Sequence, residues 1–253
     1  MSKLFIIATP IGNLSDASPR VIETLKSLEV LACEDTRHTG NLLKLLGIVK
    51  SPMLFSNHEY NERQTAARIV GLLDSGKDVG ICSDAGYPLI SDPGYPAVRA
   101  AIEAGHAIVP IPGASAVPLA LIISGLPCSS YTFKGFAPKK PGARRTFLEM
   151  DKEMPHTLVF YESPFRIEKF LEEAYEVYGN RQAAVCLELT KQFERCSRGP
   201  LAELVQEYKD RNVKGEAVIV IAGNNPKFMV DDQADEQSDN APGQGGYFNY
   251  LQG

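Results

Sequence analysis

The chain has 253 residues, of which 44% are hydrophobic and 23% are charged. These fractions are typical of globular proteins and exclude collagen-like, low-complexity and wholly disordered chains. The formal net charge is −5, from 26 basic and 31 acidic residues, which excludes an indiscriminate binder of polyanions. At about 100–200 residues per domain, the length predicts one large domain or two small ones.

Short β-branched runs alternate with amphipathic stretches through the first half of the chain. Strands are predicted at 4–9, 30–34, 52–57, 78–83 and 107–111. Helices are predicted between and after them, at 19–28, 36–46, 59–73, 95–104 and 114–124. Strand, helix and strand joined by short links are typical of a mostly parallel sheet covered on both faces. We therefore predict an N-terminal α/β domain over residues 1–127.

The alternation of predicted strands and helices is interrupted near residues 127–130, and a second set of elements follows. Its strands are predicted at 131–136, 157–161, 183–189 and 217–222, and its helices at 143–153, 164–178 and 201–211. The long helical stretch has apolar residues at i, i+3, i+4 and i+7, as a helix packed on a core requires. These elements predict a C-terminal α/β domain over residues 128–224.

Beyond residue 224 the sequence loses hydrophobic periodicity. Residues 229–253 hold five Asp or Glu residues and no Lys or Arg, so the whole net charge of −5 lies there and the remainder is neutral. Such a composition predicts an acidic, mobile tail over residues 225–253.

The cysteines and the apolar runs indicate the cellular compartment of the protein and whether it binds a metal. Five cysteines are widely spread and never form a C-x-x-C pair, so we expect reduced thiols and neither a disulfide framework nor a zinc site. The apolar run at 4–8 is too short for a signal peptide, and no stretch approaches the ~18 apolar residues of a membrane span. The sequence therefore predicts a cytoplasmic protein with no bound metal and no membrane contact.

The loops that follow the predicted strands carry the informative residues. In an open α/β sheet, ligands bind outside the carboxyl ends of the strands. Neither a G-x-G-x-x-G loop after the first strand nor a P-loop is present, which disfavours a dinucleotide or nucleoside triphosphate site. Four loops rich in Gly, Pro and small residues converge on one sheet edge and predict a pocket for a flat, polar, adenosine-sized ligand.

Charged residues at the strand ends have two interpretations each. Asp35, with Glu34 and Arg37 beside it, either caps the following helix or orients a polar substrate. Asp84 either makes a local turn or accepts hydrogen bonds from a ribose or an amine. A further cluster is either a solvated face or a phosphate-contacting patch; its members are Lys134, Lys139, Lys140, Arg144 and Arg145.

The ordered set of strand-end motifs resembles the RNA-acting branch of the tetrapyrrole (corrin/porphyrin) methylase superfamily, from about residue 4 to 223. The motifs are TPIGNL at 9–14, EDTR at 34–37, SDAGYPLISDPG at 83–94, GFAPK at 135–139, FYESPFR at 160–166, ELTK at 188–191 and KGE at 214–216. Two positions depart from the pattern of that family: Ala114 stands where it usually has Pro, and Phe165 where it usually has His. We assign no role to Phe165.

The resemblance implies two α/β domains of the tetrapyrrole methylase (class III methyltransferase) type, with S-adenosylmethionine in the cleft between them. It implies methyl transfer to the 2′-hydroxyl of a cytidine in the decoding region of 16S ribosomal RNA within the small ribosomal subunit, and a homodimer. The residues that it places against the cofactor are Pro10, Asp84, Tyr87, Ser115, Ala116, Leu189 and Ala217.

A ribose hydroxyl is a poor nucleophile, so the reaction needs a base to remove its proton or a nearby cation to stabilise the developing alkoxide. The candidates are Asp35 or Glu34 as the base and Arg37 or Lys191 as the cation. The residues expected to contact RNA phosphates are Lys139, Lys140, Arg144, Arg145 and Arg166.

Two alternatives stay open from the sequence. One is a precorrin or uroporphyrinogen C-methyltransferase of the same superfamily, against which the EDTR and FYESP motifs argue. The other is a non-catalytic RNA-binding protein on the same fold, against which the intact loop motifs argue.

Overall fold

Two five-stranded sheets organise residues 2–230, the part of the chain that this computed structural model describes. The first sheet has the order β3-β2-β4-β1-β5, and all of its strands are parallel. Its strands are β1 (Lys3–Ile7), β2 (Val30–Cys33), β3 (Met53–Ser56), β4 (Val79–Cys82) and β5 (Ala107–Ile111). The parallel sheet predicted for the first half of the chain is confirmed.

Helices cover both faces of this sheet because successive strand residues point to opposite sides. The helices are α1 (Pro19–Ser27), α2 (Thr36–Leu45), α3 (Glu62–Asp74) and α4 (Tyr95–Glu103). Ile6 belongs to the cluster packed under α3 and α4, whereas Ile7 belongs to the one packed under α1 and α2. Ser18 caps α1 by accepting a hydrogen bond from the Val21 N–H, as its position before Pro19 predicts.

The second sheet is mixed, with the order β6-β7-β10-β8-β9. Strands β6 and β7 are parallel, and the other neighbouring pairs are antiparallel. Its strands are β6 (Tyr131–Phe136), β7 (Thr157–Glu162), β8 (Gln182–Leu187), β9 (Arg195–Pro200) and β10 (Ala217–Ile221). Strand β9 was not predicted, because a polar edge strand lacks the apolar run by which buried strands are recognised.

The two faces of the second sheet are covered from different parts of the chain. One face packs on α6 (Pro141–Glu149), α7 (Ile167–Tyr178) and α8 (Leu201–Tyr208). The other packs on α5 (Ala116–Ser124), which precedes the predicted domain boundary at residue 127. Helix α5 is apolar on all sides, although only one face of it is buried: Ala120 and Leu121 pack on the sheet, whereas Ile122 is 70% exposed. The core of the second sheet therefore includes a helix of the first half.

Residues 225–230 are held against the body of the protein. Residues Pro226–Phe228 form a short 3-10 helix, and the Val230 N–H donates to the Asn180 carbonyl at 3.0 Å. These six positions belong to the predicted tail, and the rest of it, 231–253, lies outside the described residues. Within residues 2–230, no helix is long and apolar enough to cross a membrane.

Candidate functional site

A cavity of about 300 Å³ lies where the carboxyl-end loops of the first sheet meet the second sheet. From the first half, its wall includes Ile11, Tyr87, Asp92, Ser115 and Ala116. Strand β10 runs opposite to β7 and β8, so its first residues lie at the same edge as the last residues of those strands. The wall contributed by the second half includes Phe136, Tyr161, Glu162, Leu189, Glu216, Ala217 and Val218.

Three loops of the first sheet are tied into one surface by hydrogen bonds. The backbones of Thr9 and Gly86 bond each other in both directions, at 2.9 and 3.1 Å. The Tyr87 hydroxyl accepts a hydrogen bond from the Gly113 N–H at 3.1 Å. A Cβ at Gly113 would lie 2.9 Å from the Cβ of Ala8, so only glycine allows this approach. The loops after β1, β4 and β5 therefore form one packed floor.

The opposite rim is built by two interlocked loops of the second half. Glu188 has a left-handed φ of 53°, and its carboxylate accepts hydrogen bonds from the Glu216 N–H at 2.9 Å and Lys191 Nζ at 3.0 Å. Lys191 also pairs with the Glu216 carboxylate at 3.0 Å. Gly215 has a φ of 98°, which favours glycine, and its bare Cα lets the Glu188 carboxylate approach closely. The ELTK and KGE motifs thus hold each other in place.

Five of the seven residues expected at the cofactor line the cavity, namely Tyr87, Ser115, Ala116, Leu189 and Ala217. The other two, Pro10 and Asp84, lie outside its lining. Asp84 instead accepts a hydrogen bond from the Asp35 N–H at 3.2 Å. It therefore connects the loops after β2 and β4.

The structure favours the capping interpretation of Asp35. Its carboxylate accepts hydrogen bonds from the N–H groups of Arg37 and His38 at the start of α2, and it pairs with the Arg37 guanidinium at 3.0 Å. The side-chain hydrogen bond from Arg37 lowers the pKa of Asp35 to about 2. The Arg37 side chain is 91% exposed, and among the described residues neither it nor Asp35 nor Glu34 lines the cavity.

Asp92 is a carboxyl group of the cavity wall that sequence reasoning did not select. Burial raises its pKa to about 6, a hydrogen bond from Ser83 opposes the shift, and the nearby Glu34 and Asp84 add to it. Ser91, immediately before it, has a left-handed φ of 66°, a strained conformation of the kind that collects at functional sites. The SDPG motif encodes that strained loop, whereas the burial that raises the pKa of the carboxyl is visible only in the folded structure.

Most of the basic cluster is occupied by acidic partners from other elements. Arg144 is 3% exposed, and its guanidinium makes two hydrogen bonds to Glu173, at 2.6 and 2.7 Å. Arg144 is thus an internal ion-pair partner, which corrects the prediction that it contacts RNA. Lys134 likewise pairs with Asp151 at 2.5 Å.

The remaining basic residues differ in how far they are available. Arg166 pairs with the buried Glu162. Arg145 is half exposed and pairs with Glu149 at 3.1 Å and with Glu176 at 2.8 Å. Lys139 and Lys140 are exposed, and within residues 2–230 no acidic partner is found for them.

The family model described as tetrapyrrole (corrin/porphyrin) methylases matches residues 3–205, which contribute the first sheet, strands β6 to β9 and most of the cavity wall. The chain is therefore a methyltransferase of the tetrapyrrole methylase class. Uroporphyrin-III-C-methyltransferase from Thermus thermophilus superposes with a TM-score of 0.60 at 19% identity, covering 88% of this chain and 94% of that one. The methyltransferase CobJ superposes with a TM-score of 0.66 at 15% identity, covering 88% and 95%.

Relatives of higher sequence identity assign the chain to one branch of this class. Ribosomal RNA small subunit methyltransferase I of Xylella fastidiosa is 47% identical, over 87% of this chain and 81% of its own length. The protein of the same name from Halalkalibacterium halodurans is 44% identical, over 88% and 77%. The chain therefore belongs to the tetrapyrrole methylase family and, within it, to the ribosomal RNA small subunit methyltransferase I family. The resemblance read from the motifs is confirmed.

Proposed function

We propose that this protein uses S-adenosylmethionine to methylate the 2′-hydroxyl of a cytidine in the decoding region of 16S ribosomal RNA, within the small ribosomal subunit. The observation that carries the proposal is a nucleoside-sized cavity between two sheets in a chain that is 47% identical to a relative named ribosomal RNA small subunit methyltransferase I. The branch-specific EDTR and FYESP motifs favour an RNA substrate over a tetrapyrrole.

The residues of the cavity fit S-adenosylmethionine. The volume of the cavity, about 300 Å³, is at the lower end of the range for small-molecule sites. Leu189 and Val218 offer apolar surface to a flat ring, and the Ser115 side chain makes no capping bond to α5. Glu162 Oε2 is buried without a hydrogen-bond partner among the described residues, so the wall holds an acceptor for a donor group. A solved structure of the same fold from Thermus thermophilus holds S-adenosyl homocysteine.

When bound, S-adenosylmethionine supplies a methyl group on a positively charged sulfur, already activated for displacement. The residues of the chain have to align the ribose oxygen with that methyl group and remove the hydroxyl proton. Burial raises the pKa of two carboxyls in the cavity wall, Asp92 (to about 6) and Glu162. Because Glu162 is paired with Arg166, we assign removal of the hydroxyl proton to Asp92. Asp35, with a pKa of about 2, is a much weaker base.

Lys191 is the cation that we assign to the reaction. Its ammonium group lies 3.0 Å from Glu216, a residue of the cavity wall. An ammonium group has three N–H donors, of which the contacts with Glu188 and Glu216 use two, so the third can donate to the ribose oxygen and stabilise the negative charge that develops there. The pair of carboxylates that hold Lys191 fixes its position before the substrate arrives.

The proposal is tested by methylation of small ribosomal subunits that lack the modification. We expect the full chain and S-adenosylmethionine to add one methyl group to a single cytidine, located by nuclease digestion and mass spectrometry. Because a 2′-O-methyl group blocks alkaline cleavage, the adjacent phosphodiester should resist alkali. Methylation of the base, transfer to a tetrapyrrole instead, or cofactor binding without transfer to any RNA would each contradict the proposal.

Lys139 and Lys140 form the RNA-contacting surface in this proposal, with Arg145 beside them. Replacing both lysines by alanine is expected to make the slope of log affinity against log salt shallower by about 2, because each lysine neutralises about one phosphate. Affinity for S-adenosylmethionine should not change. The measurement is RNA binding at several salt concentrations.

The matched control replaces two exposed lysines elsewhere, Lys26 of α1 and Lys44 of α2. It removes the same charge from the protein but not from the proposed surface. An equal change of slope in both double variants would show a general charge effect and refute a local contact.

The proposal extends to a homodimer and to a cytoplasmic location, where small ribosomal subunits are assembled. Both follow from the family and its substrate. Sedimentation of the purified chain measures the first, and a monomer at micromolar concentration would contradict it.

A further inference from the structure

Two cysteines to which methyl transfer assigns no role face each other across neighbouring strands. Cys186 of β8 and Cys196 of β9 are register partners, and their sulfur atoms are 3.3 Å apart. Directly opposed residues of antiparallel strands have Cα atoms about 4.5 or 5.5 Å apart. Both distances fall within the ~4.4–6.8 Å over which a disulfide can form. The backbone therefore already suits a covalent bond between the two sulfurs.

The two sulfurs differ in accessibility and reactivity. Cys186 is fully buried against α5, whereas Cys196 lies half-buried on the edge strand. The hydrogen bond from Cys186 lowers the pKa of the Cys196 thiol, and the positive charge of Arg198 acts in the same direction. Since the thiolate is the reactive form, Cys196 is the sulfur that meets an oxidant first.

We propose that Cys186 and Cys196 form a reversible oxidation site, at which a small-molecule disulfide converts the thiol pair into a cross-strand disulfide. The Cys196 thiolate attacks one sulfur of the reagent, forming a mixed disulfide and releasing one reagent thiolate, which takes up the proton that Cys196 lost. Cys186 then attacks the Cys196 sulfur, and its proton passes to the second reagent thiolate as that thiolate leaves. The protein loses two hydrogens in all, and the reagent is reduced to two thiols.

The other cysteines provide internal controls. Cys33 and Cys82 are register partners on β2 and β4, but both are buried, so an oxidant cannot reach either sulfur in the folded chain. Cys128 is exposed, and it can form only a mixed disulfide unless a second molecule supplies a thiol. Among the five cysteines, only Cys196 is both accessible to an oxidant and directly opposite a second cysteine, Cys186.

The experiment uses the full chain with Cys128→Ser, incubated with oxidised glutathione, quenched with acid and alkylated in denaturant. We expect peptide mapping to show Cys186 joined to Cys196, two hydrogens lighter than the reduced pair, and Cys33 and Cys82 alkylated. Dithiothreitol should reverse the bond. Cys186→Ala should accumulate glutathione on Cys196, because the second attack is removed.

Three outcomes would overturn the proposal. The first is a chain in which both Cys186 and Cys196 stay alkylatable. The second is glutathione on Cys196 beside a free Cys186 in the chain that keeps both cysteines. The third is an equal yield of a Cys33–Cys82 bond, which would show that only unfolded chains are oxidised.

Discussion

Replacing Asp92 by asparagine is expected to slow methyl transfer by about 100-fold, the lower end of what a positioned general base contributes. The amide keeps the shape of the side chain but cannot accept the hydroxyl proton. Single-turnover transfer to small ribosomal subunits, with the cofactor saturating, measures the effect on the chemical step. The wild-type rate should rise with pH through about 6, as Asp92 ionises, and then level off. The variant should lose that dependence.

The Asp92→Asn variant should have a more stable fold than the wild type at pH 7, although its reaction is slower. The pKa of Asp92 is raised by folding, from an ordinary 3.8 to about 6, so its contribution to stability is present below the lower value and lost as pH rises through the upper one. Because asparagine carries no charge, Asp92→Asn should be more stable than the wild type at pH 7. A merely structural role for Asp92 would not combine a slower reaction with a more stable fold.

Asp35→Asn makes the same chemical change outside the cavity wall. Asparagine also caps helices well, so α2 should persist. If this variant carried the large rate loss and Asp92→Asn did not, the base would be the residue that the sequence alone suggests.

Replacing Arg144 by alanine is expected to lower the free energy of unfolding by about 3 kcal/mol, as when one partner of a buried ion pair is removed. Glu173 would be left with its carboxylate largely shielded from water and without the two hydrogen bonds that it now accepts. Denaturant unfolding measures the decrease. RNA affinity of the folded fraction should not change, since Arg144 does not face solvent.

The control for this prediction is Arg145→Ala, one residue along the same helix. Its ion pairs with Glu149 and Glu176 are exposed, and exposed pairs contribute about 1 kcal/mol or less. Equal decreases of stability in the two variants would contradict the distinction drawn between them.

The first sheet could be predicted from the sequence because its strands are short, apolar and bounded by clear helix signals. Ser18 and Pro19 mark the start of α1, for example, where the helix does begin. Strand β9 could not be predicted in the same way. Its residues are polar or small, and they form a strand because the backbone of β8 offers them hydrogen bonds.

In the candidate site, too, some residues could be predicted from the sequence and others could not. Five of the seven residues expected at the cofactor line the cavity, because ligand loops follow strand ends, which a sequence reveals. The interpretation of Arg144 and of Asp92 depended on burial. Arg144 is neutralised by Glu173, a residue of another helix. The pKa of Asp92 is raised by burial and by Glu34, a residue that follows another strand. Local charge patterns therefore misrepresent both residues.

Helix α5 has a consequence for how this protein could be recombined with its relatives. It leaves the first sheet and supplies Val117, Ala120 and Leu121 to the apolar face of the second. A chimera joined at residue 127 would therefore pair the second sheet of one parent with the covering helix of the other. Only crossovers before residue 116 transfer that interface intact, so the natural unit of exchange is longer than the second half of the chain.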